Sequence, residues 1–371
     1  MTSKRRREEY LPKASLKPIL VTFSICASVV VIAFTRNVLL ANVFLASMTF
    51  GILVYLALHF DDYRRPKAYI HVNRAIAYLN NKKDPDAAIE ECNEALRLRP
   101  HFAAAFSNRG VAHAQKDEWD KAVQDCNQAM NLKPNFAHAY AVRALAFMGK
   151  ERLDEALADS NEAIRIDSRF ALAHRVRGYI LLEKKNGEEA VASFWRAVQL
   201  APNDVVALAG LGVAYSTTNQ AEKAIAAYKK ATLFAPNNAT LYNNLGYMYL
   251  KTGNFIMALV ECNQALQLDP QLPFAYASRG ETYLNMGQYE DALHDFTRAT
   301  ELKEDHHFAI AGQAVCYYLM GQTEKAKQAW QKLIENDPRY QQAGILETEY
   351  HCTSALVEGA RQVIESVEHS S

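Results

Sequence analysis

A unit of 34 residues recurs eight times without a gap between residues 69 and 340, and a period of that length restricts the chain to a stacked-repeat architecture. Three columns share the period. Prolines fall at Pro100, Pro134, Pro202, Pro236, Pro270 and Pro338, with Ser168 and Glu304 on the two missing beats. Ala88, Ala122, Ala156, Ala190, Ala224, Ala258, Ala292 and Ala326 are each 34 residues apart. Twelve residues before each alanine stand Ile76, Gly110, Ala144, Gly178, Gly212, Gly246, Gly280 and Ala314, small in seven of the eight copies. Helices approach backbone to backbone only where small side chains face each other. A further small column, Ala95, Ala129, Ala163, Ala197, Ala231, Ala265 and Ala299, ends in Leu333. It lets the second helix of one unit approach the first helix of the next. Bulky columns, Leu79, Phe147, Leu181, Tyr215, Tyr249, Tyr283 and Tyr317, and Phe194, Tyr228, Phe296 and Trp330, fill the space left. Each unit reads as a helical hairpin, and the hairpins stack.

These columns, strongest in Tyr242-Asn243-Asn244-Leu245-Gly246-Tyr247, resemble the tetratricopeptide repeat family across residues 69–340. The resemblance implies an all-α, right-handed α-solenoid of eight helix-turn-helix repeats, at 69–102, 103–136, 137–170, 171–204, 205–238, 239–272, 273–306 and 307–340. Repeat one departs at Ile76 and repeat seven at Glu304, so the geometry of those two is the least determined. Residues 341–371 are expected to close the open end of the stack, with Ile345 to Val367 forming one or two helices. Leu346, Leu356, Val357, Val363 and Ile364 then face the last repeat, and Glu347, Glu349 and Glu358 face water.

The array is preceded by a basic segment, residues 1–17, and two uncharged stretches at 18–35 and 38–60. At 1.5 Å per residue the second is long enough for a hydrocarbon core of about 30 Å, and the first lies near the lower limit. A two-helix transmembrane hairpin before the solenoid is the expected arrangement, followed by a basic linker at 61–68. Lys4, Arg5, Arg6, Arg7, Lys13 and Lys17 precede the first span and Arg64, Arg65 and Lys67 follow the second, against Arg36 alone in the turn. That bias places both termini and the array in the cytoplasm. A cleaved signal peptide is the rival reading and would put the array outside, but no A-x-A site follows the first run. A hairpin dipping into one leaflet leaves the array on the cytoplasmic side.

Residues 1–68 carry ten Lys or Arg against four Asp or Glu, and the rest of the chain carries 31 against 37. With no basic stripe along the repeats, nucleic acid is not an expected partner. Six cysteines without a CxxC or zinc spacing argue against a metal or disulfide framework, and Cys92, Cys126 and Cys262 fall in the same column as Phe194 and Trp330 as small core residues. No HExxH, phosphate loop or G-x-S-x-G elbow is present. The chain is therefore read as a non-enzyme with no cofactor and no catalytic or metal-binding residues.

Four arginines, Arg109, Arg143, Arg177 and Arg279, stand just before the small column of the first helix. Sixteen residues earlier lie Asn93, Asn127, Asn161 and Asn263, and eighteen earlier Glu91, Asp125, Asp159 and Glu261. Where Leu211 or Leu245 replaces the arginine, those places hold Trp195 with Ser193 and Lys229 with Ala227. The swap predicts an inter-repeat polar ladder in which, for example, Arg143 meets Asp125 or Asn127. A shared recent duplication of these units gives the same pattern.

In the resembled family the first helices line a concave face that holds peptides or extended segments. Carried onto this chain, the inward positions are Asn108, Val142, Val176, Tyr179, Val206, Val213, Asn244, Tyr247, Phe274, Glu281 and Phe308. The lysine needed by family members that clamp a chaperone's terminal carboxylate is missing: those places read Asn73, Ser107, Ala141, Arg175, Ala209, Asn243, Ala277 and Ala311. The expected function is a membrane-anchored scaffold or adaptor gathering protein partners, for example in assembly of a membrane or envelope complex. Two other readings stand beside it: a non-catalytic regulatory subunit of a membrane lipid- or glycan-processing enzyme, and a structural protein that self-associates.

Overall fold

The structure is a computed structural model and describes residues 66–82, 84–348, 350 and 352–368. The expected spans at 18–35 and 38–60 lie outside the described residues. No described helix is long and apolar enough to cross a membrane.

All regular structure among the described residues is helical. Helix α1 covers residues 66–77 and ends in a π turn, Tyr78–Lys82. The pairs that follow are α2 (Pro85–Leu98), α3 (Ala103–Gln115) and α4 (Trp119–Leu132), α5 (Ala137–Gly149) and α6 (Leu153–Ile166), and α7 (Ala171–Glu183) and α8 (Gly187–Leu200). Next come α9 (Val205–Thr217) and α10 (Ala221–Phe234), α11 (Ala239–Lys251) and α12 (Phe255–Leu268), and α13 (Pro273–Asn285) and α14 (Tyr289–Leu302). The last repeat holds α15 (His307–Leu319) and α16 (Thr323–Asn336), before a 3-10 turn (Pro338–Gln341), α17 (Gly344–Thr348) and α18 (Ser354–Glu368).

The chain divides into two compact bodies, Met1–Ala105 and Phe106–Ser371. In the first, Ala68, Val72, Ala95, Phe102 and Ala105 form a small core. Helix α2 starts where Asp84 accepts a hydrogen bond from the Ala87 amide (3.0 Å) and Pro85 occupies a position whose amide needs no partner.

In the second body each helix from α4 to α16 packs on the next, and α5–α7, α7–α9, α11–α13 and α13–α15 also touch. The first helices of repeats three to five therefore adjoin, as do those of repeats six to eight. All eight alanines of the phased column are fully buried, as are the seven alanines and Leu333 of the later small column. The missing prolines leave the connections unchanged: the Asp167 amide donates to Ala163 O (2.9 Å) and the Lys303 amide to Ala299 O (3.0 Å), as the Lys133 amide does to Ala129 O (2.9 Å). Proline suits that position because the helix ends there; it is not what ends it.

A volume trade sets the spacing between hairpins. Phe194 is fully buried, and a Cβ added at Gly178 would come within 2.7 Å of its ring and one at Gly210 within 2.3 Å. Phe296 faces Gly280 and Gly312 in the same way. Where the bulky column shrinks to Cys126 or Cys262, the residue sixteen later grows to Val142 or Ser278.

The tail does more than close the stack. Leu346, Leu356 and Val363 are fully buried and Val357 nearly so, but α18 packs on α13 of repeat seven as well as on α15 and α16 of repeat eight.

His306 gives the fold an acid sensitivity. It is 5 % exposed, its Nδ1 accepts from the Ala309 amide (3.4 Å), and its Nε2 is buried without a partner among the described residues. Burial pushes its pKa from 6.5 down to about 4. The unfolded chain therefore takes up a proton first, so the stability present above pH 6.5 is lost as pH falls towards 4. At pH 5 the loss is about 2 kcal/mol from this residue. His306→Asn, which imitates the cap made by Asn238, is expected to flatten the acid limb of a Tm-versus-pH curve by that amount; an unchanged limb would show that His306 is not its source.

Candidate partner-binding face

Two rungs of the arginine ladder bridge repeats, at Arg143 and Arg279, with a different carboxylate from the one expected. Arg143 donates through Nη1 to Asn127 Oδ1 (2.6 Å), bridging to the preceding repeat, but its acid is Asp159, met by Nε and Nη2 at 2.7 Å each. Arg279 likewise bonds Asn263 (2.6 Å) and Asp295 (2.6 and 2.8 Å), and Arg109 bonds Asp125 (2.8 and 2.6 Å). Arg177 uses Ser193 (2.8 Å) and Glu189 (2.7 Å) rather than Asp159. For Arg109, Arg143 and Arg279 the acid lies sixteen residues ahead, on the second helix of the arginine's own hairpin, instead of eighteen behind. In a 34-residue period these two spacings are one column, so periodicity alone does not separate them. Asp295, absent from the expected ladder, is the residue that breaks the degeneracy. Glu91 is held by His71 at 2.5 Å, and Glu261, whose pKa burial raises, is eased only by the charge of Lys229. Donation of its hydrogen bonds to Asp159 raises the pKa of Arg143, and donation to Asp295 raises that of Arg279.

Three expected partner-contact positions are core. Val142 and Val176 are buried because they fall in the column sixteen residues after Cys126 and Ser160, where a larger side chain compensates for a small one, and Asn108 is 8 % exposed. Asn244 is half-buried, whereas Val206, Val213 and Phe274 are exposed.

Tyr179, Val213, Tyr247 and Glu281 form one column on the face of the first helices. Three of them bond main chain. Tyr179, edge-on to Phe194, donates its hydroxyl to Val206 O (3.1 Å); Tyr247 donates to Tyr350 O (3.0 Å); and Glu281 Oε1 accepts from the Thr353 amide (2.6 Å) and hydroxyl (2.9 Å). Burial raises Tyr179 and Tyr247 above the usual phenol range, so both remain neutral donors. Burial also raises the Glu281 carboxyl, opposed by the two Thr353 donors and Lys251. Phe308 stacks on Tyr350 with ring centres 6.0 Å apart. The face is thus open at Val206 and Val213 and covered by the tail over repeats six to eight. The contacts to the tail were missed at the sequence level, since pairs made once, such as Tyr247 with Tyr350 across 103 residues, leave no periodic trace.

The five cysteines from Cys92 onward are buried, and among the described residues no group of three His, Cys, Asp or Glu could hold a metal ion.

Tetratricopeptide repeat models match residues 72–135, 141–205, 239–272, 273–306 and 312–340, and a TPR repeat model matches 217–253. No curated protein sequence matches the chain. Among solved structures, the fold is similar to that in the APC/C hetero-tetramer Cut9–Hcn1, with a TM-score of 0.60, 13% identity, and coverage of 82% of this chain and 60% of that one. It is also similar to PilF of Pseudomonas aeruginosa, with a TM-score of 0.51, 19% identity, and coverage of 57% and 96%. At these identities the likeness concerns the fold alone.

Proposed function

We propose, from the premise that this chain belongs to the tetratricopeptide repeat family, that it is a non-enzymatic adaptor whose first-helix face holds an extended segment of a protein partner. Residues 18–60 serve as its membrane hairpin, with both termini in the cytoplasm. The observation that supports the reading is the column Tyr179, Tyr247 and Glu281, which bonds two main-chain carbonyls and one amide. Tyr247 and Glu281 do so outside any helix, at Tyr350 and Thr353, in the manner of side chains that hold extended backbone. Beside them Val206 and Val213 offer apolar contact, 49% and 37% exposed.

Tagged chain recovered from detergent-solubilised membranes is expected to carry a protein partner. Tyr179→Asp with Val213→Asp is expected to abolish that recovery while helical content and the membrane fraction stay unchanged. Binding through apolar and main-chain contacts should change less than about two-fold over a ten-fold rise in salt. Recovery that survives the double substitution places the interface elsewhere. For topology, a reporter active only outside the cytoplasm, fused after Ser371, is expected to be silent; an active fusion contradicts the two-span hairpin.

A further inference from the structure

Tyr350, Cys352 and Thr353 lie on the face of repeats six to eight as residues of a bound peptide would. The carbonyl of Tyr350 accepts from Tyr247 (3.0 Å) and that of Cys352 from Lys251 Nζ (3.3 Å). The amide and hydroxyl of Thr353 both donate to Glu281 Oε1, and its hydroxyl also accepts from Asn285 Nδ2 (2.8 Å). The Tyr350 ring stacks on Phe308 and its hydroxyl meets that of Tyr340 (2.9 Å). Main-chain groups are thus held at Tyr350, Cys352 and Thr353, and side chains are read at the first and the last position.

One detail sets this apart from a cap optimised only for stability. Glu281 is fully buried, and its Oε2 has no hydrogen-bond partner among the described residues. A buried acceptor left unmade costs free energy comparable to a lost hydrogen bond. The chain's own segment therefore leaves part of the site's binding capacity unused, and a segment that supplies a further donor has an advantage over it.

We infer that the first-helix face of repeats six to eight is a binding site for an extended segment with an aromatic residue three positions before a threonine or serine, and that Tyr350, Cys352 and Thr353 fill it in cis until such a partner segment displaces them. This deepens the reading of that face as a peptide surface and rests on it. A tethered occupant acts at an effective concentration of about millimolar, so it masks the site from all but strong or abundant competitors.

The probe is a labelled synthetic peptide with the sequence of residues 348–355, Thr-Glu-Tyr-His-Cys-Thr-Ser-Ala, titrated onto the full chain in detergent. The chain carrying Tyr350→Ala and Thr353→Val is expected to bind it at least about ten-fold more tightly than the unaltered chain. Adding Glu281→Met is expected to remove that gain. Equal affinity for the altered and unaltered chains, or a gain indifferent to Glu281→Met, overturns the inference. A second measurement needs no variant: hydrogen exchange at the Thr353 amide of the unaltered chain should accelerate at least about ten-fold under saturating peptide, and unchanged exchange marks the segment as a fixed cap. If Tyr179→Asp with Val213→Asp abolishes partner recovery but the peptide binds neither form, the adaptor reading stands and this inference fails. If the peptide binds as expected while partner recovery survives that double substitution, the self-occupied site stands and the adaptor reading of repeats four and five fails.

Discussion

Arg279→Ala is expected to cost about 3–5 kcal/mol of stability, because it strands the Asp295 carboxylate, 1% exposed, in the seam between two helices. The arginine approaches both carboxylate oxygens and also the Asn263 side chain on the preceding repeat, so its loss breaks a contact within one hairpin and another between hairpins. The replacement of both partners is a different matter. Arg279→Leu with Asp295→Ala imitates Leu211 with Ala227, the pair that stands at these positions in repeat five, and is expected to recover more than half of the loss. Urea unfolding of the full chain in detergent, followed by far-UV circular dichroism, measures both. A single substitution that leaves the midpoint in place would show that solvent screens the pair, whose arginine is 19% exposed.

Phe194→Cys is expected to destabilise by about 3 kcal/mol, through lost burial and the cavity left beside Gly178 and Gly210. Gly210→Val alone is also destabilising, since its Cβ would lie 2.3 Å from the Phe194 ring. Combined, the two substitutions reproduce the pairing of Cys126 with Val142, and the loss is expected to be smaller than that of either single change. Such strong non-additivity is the signature of side chains sharing one volume. Additive losses would mean that the hairpin spacing adapts to each side chain independently.

Those two variants mark how far the sequence was legible. The period and its small columns located the hairpins because helix-to-helix approach is set by side-chain volume, and volume repeats with the period. Orientation within the seam was harder. Arg143 has an acid both eighteen residues behind and sixteen ahead, so only the geometry of the hairpin decides for Asp159 over Asp125. Val142 and Val176 were placed on the partner face for the same reason: the column is visible, but only the packing shows that it turns into the seam, where a Cβ at Gly110 would meet Val142. A further periodic feature went unread. Gly253, Gly287 and Gly321 share a left-handed turn position with Asp117, Glu151, Lys185 and Asn219, where φ is 56–58° in the four non-glycine copies and 74–75° in the glycines. Glycine is absent from four of those seven positions, so the backbone requirement is invisible in the letters. The tail lay furthest from reach, because Tyr247 and Tyr350 meet once and nothing repeats.

The central claim is that the first-helix face receives the partner, and site-specific photo-crosslinking tests it most directly. A photoreactive amino acid at Val213, exposed on α9, should capture a protein from native membranes, whereas the same group at Ile256 on α12, 73% exposed, should capture none. Crosslinks from Ile256 with none from Val213 would contradict the account.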